Sequence, residues 1–217
     1  MKLSAILFDI DGTMADTLPV CVSSIQKTLK VIDGKNYTEP EITRYFGIAE
    51  GGIFARMVLP DRHNEAMSVY YKTYAELHVQ YCQLFPGLKT ILNEIHAHGL
   101  KMGVVTGRGA KGALLSLELL GVLPYFDVVE HGSDEVMGKK EPLQRALAAL
   151  EVDPAETLYV GDTESDMRDS TGLGMWAAGA AWATTATLHP NGWGPQAEVF
   201  TSVENFRNWL LPRIASS

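Results

Sequence analysis

Three short apolar segments, each ending in a polar or glycine-containing turn, are the feature that most limits how this chain can fold. They read LSAILFDIDGT at 3–13, KMGVVTGRG at 101–109 and TLYVGDTESD at 157–166. Each contains four or five apolar or β-favouring residues, which is typical of strands buried on both faces of a parallel sheet. The pattern predicts strands whose carboxyl ends carry polar side chains.

Helical patterns separate these strands. Residues 110–120 read AKGALLSLELL, and Gly121 is a natural end for that helix. After Pro142, apolar residues fall on one helical face: Leu143, Ala146, Leu147 and Leu150. Alternation of strands and helices predicts a doubly wound, Rossmann-like α/β fold with a parallel sheet core. Ligands of such sheets bind outside the carboxyl ends of the strands, so the three polar turns should converge on one site.

Residues 16–85 follow a different, purely helical pattern. The stretch TEPE at 38–41 fits a capping box with proline in the first turn. A long amphipathic helix is indicated by five residues at helical spacing, which are more typical of helix packing than of ligand binding: Met67, Tyr70, Tyr74, Leu77 and Tyr81. We therefore predict an α/β core domain of residues 1–15 and 86–217, with an α-helical cap domain inserted at 16–85.

Composition and charge exclude several classes of protein. The 217 residues are 46% hydrophobic and 20% charged, as in soluble globular proteins. A formal charge of −8 without a basic block argues against nucleic acid as a partner. No apolar run approaches the roughly 18 residues that span a bilayer, so no membrane partner is expected. Two distant cysteines, Cys21 and Cys82, favour reduced thiols in a cytoplasmic protein over a disulfide. Oligomeric state stays open.

Asp9 and Asp11 follow the first strand with one residue between them, and at a strand end alternate side chains point to the same face. Two carboxylates that close repel each other, and a bound Mg²⁺ ion would resolve the conflict because it takes oxygen ligands. The alternative is that both acids merely cap a turn or a helix. The following glycine and threonine, Gly12 and Thr13, suit an anion better, since glycine lets backbone amides approach and a hydroxyl adds a donor.

The stretch FDIDGTMADT resembles the first motif of the haloacid dehalogenase superfamily, in its phosphatase form. Three further motifs follow in order. Thr106, which ends VVT, matches the second motif, Lys139 in GKKEPLQRAL matches the third, and GDTESD at 161–166 matches the acidic fourth. The resemblance covers essentially the whole chain, including FPGL at 85–88, where the chain would re-enter the core.

The resemblance implies a role for each matched residue. Asp9 would attack phosphorus and form an aspartyl-phosphate, and Asp11 would protonate the leaving alcohol and later activate water. Residues that would contact the phosphoryl group are Gly12, Thr106, Gly107, Arg108 and Lys139, of which Thr106 and Lys139 also count as catalytic. Mg²⁺ would be held by Asp9, the main-chain carbonyl of Asp11, and Asp162. Asp166 would either orient the site or bind the metal through a water molecule.

Some assignments stay open at this point. Lys140 follows Lys139 where the family often has proline, so either lysine could serve, although the spacing to Ala146 favours Lys139. Arg108 is either a phosphate contact or a surface arginine. Glu164 has no firm role.

The function that the resemblance implies is Mg²⁺-dependent hydrolysis of a small phosphorylated metabolite, as in the phosphoglycolate phosphatase-like branch. A β-phosphoglucomutase-like phosphotransferase would keep Asp11 and a similar cap and stays open. A haloacid dehalogenase would have no use for a second acid at position 11. A catalytically idle module of the same fold is disfavoured because all four motifs are intact.

Two expectations concern the predicted cap. The glycine-rich segment RYFGIAEGG at 44–52 is predicted to be one loop that faces the active site, where Arg44 would meet a substrate carboxylate. The alternative is an ordinary turn between helices. Asp16 is expected to cap the first cap helix.

Overall fold

A computed structural model describes residues 2–186, 188–189 and 192–215. Among these residues, six strands form one sheet: β1 (Ala5–Phe8), β2 (Lys101–Val105), β3 (Val128–Glu130), β4 (Thr157–Gly161), β5 (Trp176–Ala180) and β6 (Ala197–Phe200). Within the same ranges, no helix is long and apolar enough to cross a membrane.

The sheet is parallel throughout and has the order β3-β2-β1-β4-β5-β6. Strand β1 lies between β2 and β4, and its last residue, Phe8, pairs with Val104 on one side and Val160 on the other. The turns that follow these three strands therefore lie side by side at one edge of the sheet. The predicted doubly wound α/β fold is confirmed.

Five helices cover the sheet: α5 (Leu88–Ala97), α6 (Ala110–Leu119), α7 (Lys140–Leu150), α8 (Glu164–Thr171) and α9 (Val203–Ile214). Alternate residues of β1 enter different apolar clusters. Ile6 and Phe8 belong to the larger cluster, while Ala5 and Leu7 pack with the apolar side of α7. Burial on both faces is the physical reason why β1 is apolar at successive positions.

Between β1 and α5 the chain forms four helices: α1 (Leu18–Asp33), α2 (Glu39–Thr43), α3 (Glu50–Met57) and α4 (His63–Tyr81). We call these four helices the helical insert. They share an apolar cluster of their own, in which Tyr70 and Tyr74 are buried. The tyrosines at these positions pack between helices, as predicted, whereas Tyr81 is exposed. The capping box at Thr38 and Glu41 is also present.

The chain leaves and re-enters the sheet domain through paired linkers. The Phe85 amide donates to the Met14 carbonyl at 2.9 Å, and Ala15 forms an antiparallel bridge with Leu84. Both linkers thus lie together, which supports the boundaries at 15/16 and 85/86. The division into two domains stays a prediction.

Two local expectations are wrong. Segment 44–52 is not one loop, because α3 begins at Glu50 and contains the glycine pair Gly51 and Gly52. Asp16 does not cap α1; its Oδ2 accepts a hydrogen bond from the Thr184 hydroxyl at 3.0 Å. In both cases a tertiary contact decides the structure. The α3 amide of Gly52 donates to Asp134 Oδ1 across the interface with the sheet domain at 2.8 Å.

His78 makes the stability of the helical insert sensitive to pH. His78 is 1% exposed, its ring centre lies 5.4 Å from that of Tyr74 in a tilted arrangement, and neither ring nitrogen has a hydrogen-bond partner among the described residues. Burial, followed by repulsion from Arg108, lowers the pKa of His78 from 6.5 to about 4. Between these pH values the unfolded chain binds the proton more readily than the folded protein, so the free energy of unfolding falls as pH decreases.

We expect His78→Leu to lose less stability than the wild type between pH 7 and pH 5. From the two pKa values, the difference is about 2 kcal/mol. Chemical denaturation at both pH values measures it, and His96→Leu, at an exposed position, is the matched control. Equal loss of stability in all three proteins would show that His78 does not titrate on unfolding.

Candidate active site

Asp9 lies directly after β1 and is held from two sides. It is 4% exposed, and its main-chain amide donates to the Val160 carbonyl at 2.9 Å. Oδ1 accepts from the Ile10 amide at 2.7 Å, and Oδ2 accepts from Lys139 Nζ at 2.5 Å. These contacts fix the carboxylate at the edge of a cavity of about 430 Å³ between the sheet domain and the helical insert.

Lys139 precedes α7 and bridges two carboxylates. Besides Asp9, its Nζ donates to Asp166 Oδ1 at 2.6 Å. Its main-chain amide donates to Asp169 Oδ2 at 2.8 Å. The neighbouring Lys140 is exposed. The structure thus brings Lys139 and not Lys140 to Asp9. Asp169 was missed by sequence reasoning, although its spacing from Asp166 places both acids on one side of α8.

Asp166 is fully buried, and both of its carboxylate oxygens accept hydrogen bonds. Oδ1 accepts from Lys139 and from the Tyr159 hydroxyl at 3.2 Å. Oδ2 accepts from the amide and hydroxyl of Thr163, at 3.0 and 2.7 Å, in a capping box at the start of α8. Although burial raises the pKa of Asp166, Lys139 and these hydrogen bonds outweigh it and hold the pKa below the ordinary value. Asp166 therefore orients Lys139 and has little capacity left as a metal ligand.

Three carboxylates, those of Asp9, Asp162 and Asp166, place oxygen atoms within 4.8 Å of one another. Among the described residues, Lys139 is the cation that contacts this group, and its single positive charge compensates only one of the three carboxylates. Burial raises the pKa of Asp9 to about 6, although Lys139 opposes this, and Asp166 and Asp11 add repulsion. The pKa of Asp162 is raised well above its usual range, by burial and then by Asp9. An oxygen-lined site with uncompensated negative charge fits a divalent cation. Asp9 and Asp162 are the side chains able to hold it.

Asp11 points away from the acidic cluster toward Arg108. The guanidinium donates from Nε to Oδ2 at 2.8 Å and from Nη2 to Oδ1 at 2.6 Å, and the Thr17 hydroxyl also donates to Oδ1. Burial raises the pKa of Asp11, but Arg108 and then Thr17 outweigh burial and hold the pKa below the usual value. The two aspartates of the first turn therefore have different electrostatic surroundings.

Arg108 pairs with Asp11, whereas the sequence left open a contact with the substrate's phosphoryl group. It is 6% exposed, so it is not a surface arginine. Apart from Asp11, its Nη2 donates to Cys21 Sγ at 2.8 Å, and its guanidinium lies 4.5 Å from the centre of the Tyr74 ring. Arg108 thus connects the turn after β2 to helices α1 and α4 of the insert.

The remaining turn residues, Thr106, Gly107 and Gly12, differ in their surroundings. Thr106 is fully buried at the end of β2, and its Oγ1 accepts from the Arg108 amide at 3.4 Å. Gly107 lines the cavity. The Gly12 amide already donates to the Ala15 carbonyl at 2.9 Å, so it is not directed at an anion. A Cβ atom at Gly12, whose φ is +71°, would lie 2.2 Å from Asp162 Oδ2. Gly12 leaves room for that carboxylate.

The predicted role of Arg44 is not supported by its position. Its side chain is exposed, donates to the Tyr45 hydroxyl at 2.8 Å and stacks on the Tyr45 ring. Arg44 is not among the described residues that line the cavity. The segment does face the site through other residues, namely Phe46, Gly47, Ile48 and Glu50.

Glu50 is a cavity residue that the sequence did not indicate. Its side chain is buried between the insert and the sheet domain. Oε2 accepts from the Gly109 amide at 2.8 Å, and Oε1 accepts from the Tyr71 hydroxyl at 3.1 Å. A Cβ atom at Gly112 would lie 1.9 Å from Oε1, so this glycine permits the close approach. Nothing in the sequence distinguishes Glu50 from other acids at helix starts.

Comparison with known proteins gives one family and one fold. A family model described as haloacid dehalogenase-like hydrolase matches residues 6–180. The chain is 32% identical over 187 residues to the pyrophosphatase PpaX of Bacillus pumilus. This alignment covers 83% of this chain and 84% of that protein. It is 30% identical over 187 residues to a phosphoglycolate phosphatase of Aquifex aeolicus, with 83% and 85% covered.

Among solved structures, CbbY from Rhodobacter sphaeroides in complex with phosphate has the same fold. The TM-score is 0.77 at 21% identity, and the match covers 92% of this chain and 94% of that chain. The family match extends from within β1 to the last residue of β5, and so includes every strand end that carries a site residue. The chain therefore belongs to the haloacid dehalogenase-like hydrolase family.

Proposed function

We propose that this protein is a Mg²⁺-dependent phosphatase that hydrolyses small phosphomonoesters through a phosphorylated Asp9. The observation that carries the proposal is the position of the Asp9 carboxylate, which lies at the cavity edge between Lys139 and Asp162. The names of the relatives, a pyrophosphatase and a phosphoglycolate phosphatase, support phosphoryl transfer as the chemistry.

In the first half of the reaction, an Asp9 oxygen attacks phosphorus. The Asp9–phosphorus bond forms as the ester P–O bond breaks, and Asp11 gives its proton to the leaving alcohol. Lys139 offsets negative charge on Asp9 and on the transferring group. When bound between Asp9 and Asp162, with the Asp11 main-chain carbonyl as a further ligand, Mg²⁺ would neutralise charge on the phosphoryl oxygens.

In the second half, Asp11 accepts a proton from water, and the water oxygen displaces Asp9 from phosphorus. Pairing with Arg108 favours the ionised, proton-accepting form of Asp11 that this step requires. The first half requires the protonated form, which the negative charge of a bound phosphoryl group beside Asp11 would favour. Arg108 is in this account a positioning residue, since it acts on the reaction through Asp11.

Asp9→Asn is expected to reduce kcat by on the order of 10³ or more, because the amide is a poor nucleophile. The fold should persist, with a thermal midpoint close to that of the wild type. The assay is phosphate release from p-nitrophenyl phosphate with Mg²⁺. Asp16→Asn, an acid of the same stretch that contacts Thr184, is the matched control. Near-normal turnover by Asp9→Asn would place the nucleophile elsewhere.

Metal binding can be tested without turnover. Asp162→Asn removes one of the mutually repelling carboxylates, so the variant should be at least as stable as the wild type in EDTA. The wild type should gain stability as Mg²⁺ is added, because binding stabilises the folded state, and Asp162→Asn should gain much less. Thermal denaturation with and without Mg²⁺ measures both effects.

The exposed neighbour Glu164 provides the control for this comparison. Glu164→Gln should respond to Mg²⁺ like the wild type. If Asp162→Asn gains as much stability from Mg²⁺ as the wild type does, Asp162 is not a ligand.

Arg108→Gln separates a positioning role from a phosphate-binding role. If Arg108 serves Asp11, kcat should fall roughly tenfold to a hundredfold while the inhibition constant of inorganic phosphate stays unchanged. Arg108→Lys, which keeps the charge but loses the paired hydrogen bonds, should lie between the wild type and Arg108→Gln. Steady-state kinetics and phosphate inhibition provide the readouts. A large rise in the phosphate inhibition constant would restore the phosphate-contact role predicted from the sequence.

A further inference from the structure

The cavity beside Asp9 has two chemically different ends. At one end lie the charged residues of the turns after β1, β2 and β4. Other lining residues come from the helical insert and from the segment between α2 and α3. Besides Cys21, Gly47 and Glu50, they carry large, mostly apolar side chains, which we call the apolar wall: Leu18, Ile25, Phe46, Ile48, Ile53 and the phenol ring of Tyr70. A substrate whose phosphoryl group reaches Asp9 must place its leaving group against this wall.

The apolar wall is fixed by packing. Ile25, Ile53 and Tyr70 are at most 4% exposed and belong to the apolar cluster of the insert. Densely packed side chains of this kind do not rotate away to admit a polar group. Phe46 and Leu18, which also line the cavity, are only half-buried.

The charged groups near this wall are already paired. Arg108 is bound by Asp11, and Lys139 by Asp9 and Asp166. Arg44 is turned outward onto Tyr45. Lys27 and Lys30 of α1 line a separate surface depression. Among the residues that the structure describes, no uncommitted cation lines the cavity, and the remaining charge near the wall is the carboxylate of Glu50.

This distribution of charge disfavours an anionic leaving group. An unpaired carboxylate or phosphate moved out of water loses its hydration without compensation, and the nearby Glu50 would add repulsion. Burial of the methylene groups of an alkyl chain is instead favourable. A sugar would likewise leave hydroxyl groups unpaired against the isoleucines.

We propose that the ester cleaved at this site carries an uncharged, predominantly apolar leaving group, such as a short branched alkyl or an aryl alcohol. The inference rests on the proposed phosphatase function and specifies its substrate class. The proposed substrate class differs from the phosphoglycolate-like substrate expected from the sequence. It also differs from the substrates in the relatives' names, pyrophosphate and phosphoglycolate, because both of those have anionic leaving groups.

A matched pair of esters tests the inference. Isobutyl phosphate resembles phosphoglycolate in shape, but two methyl groups replace the two carboxylate oxygens. With Mg²⁺ present, kcat/KM for isobutyl phosphate should exceed that for phosphoglycolate at least tenfold. Equal values, or a preference for phosphoglycolate, would overturn the inference.

A substitution in the wall should reverse the preference. Phe46→Lys places an ammonium group at the half-buried edge, where it can remain hydrated while it meets a carboxylate. The ratio of kcat/KM for isobutyl phosphate to that for phosphoglycolate should fall at least tenfold. Phe46→Leu keeps the wall apolar and should leave the ratio close to that of the wild type. An unchanged ratio in a folded Phe46→Lys variant would show that the leaving group does not contact this wall.

Hydrolysis of the reporter p-nitrophenyl phosphate separates a failure of the proposed substrate class from a failure of the proposed phosphatase function. If it is hydrolysed but phosphoglycolate is preferred to isobutyl phosphate, the substrate class is wrong and the phosphatase function stands. If no ester is hydrolysed with Mg²⁺, the phosphatase function fails, and the substrate class fails with it.

Discussion

The contact between Lys139 and two buried carboxylates is the interaction on which the site depends. Asp9 follows β1, Asp166 lies in the first turn of α8, and Lys139 precedes α7, so one ammonium group joins three segments far apart in sequence. Burial alone would lower the pKa of Lys139, but Asp166 and Asp9 raise it well above the ordinary value. Removing the ammonium group would leave a cluster of buried carboxylates uncompensated, which is among the costliest changes in a protein interior.

A second cation gives the two aspartates of FDIDGT opposite properties. The pKa of Asp9 is raised to about 6 by burial, with Lys139 opposing this, whereas that of Asp11 is held low by Arg108 against the effect of burial. Groups of one chemical type, two residues apart, can therefore take different roles in one reaction. Arg108 also contacts Cys21 and Tyr74, so the cation that pairs with Asp11 is packed against the helical insert.

The sequence was informative where local patterns decide the structure. Apolar runs ending in polar turns located β1, β2 and β4, and parallel pairing then brings Asp9, Thr106 and Asp162 together. Strands β3, β5 and β6 gave no comparable signal, since β5 reads WAAGA and β3 has three residues. Three features depend on how the insert packs against the sheet domain. They are the pairing of Arg108 with Asp11, the outward orientation of the Arg44 side chain and the burial of Glu50. No periodicity encodes contacts between residues so far apart in sequence, such as Glu50 and Gly109, 59 residues apart, or Asp11 and Arg108, 97 residues apart.

The motifs and the wall of the insert carry different information. In the proposed reaction, the residues at the strand ends act on the phosphoryl group. This group is common to every phosphate ester, so these residues would not distinguish one leaving group from another. Discrimination requires a difference in free energy between bound leaving groups, and only residues that contact the leaving group can supply it. On the proposed substrate class, those residues would be the apolar side chains of the insert, beside which Arg108 and Lys139 are already paired. Relatives that share the motifs but differ in the wall can therefore share the reaction without sharing the substrate.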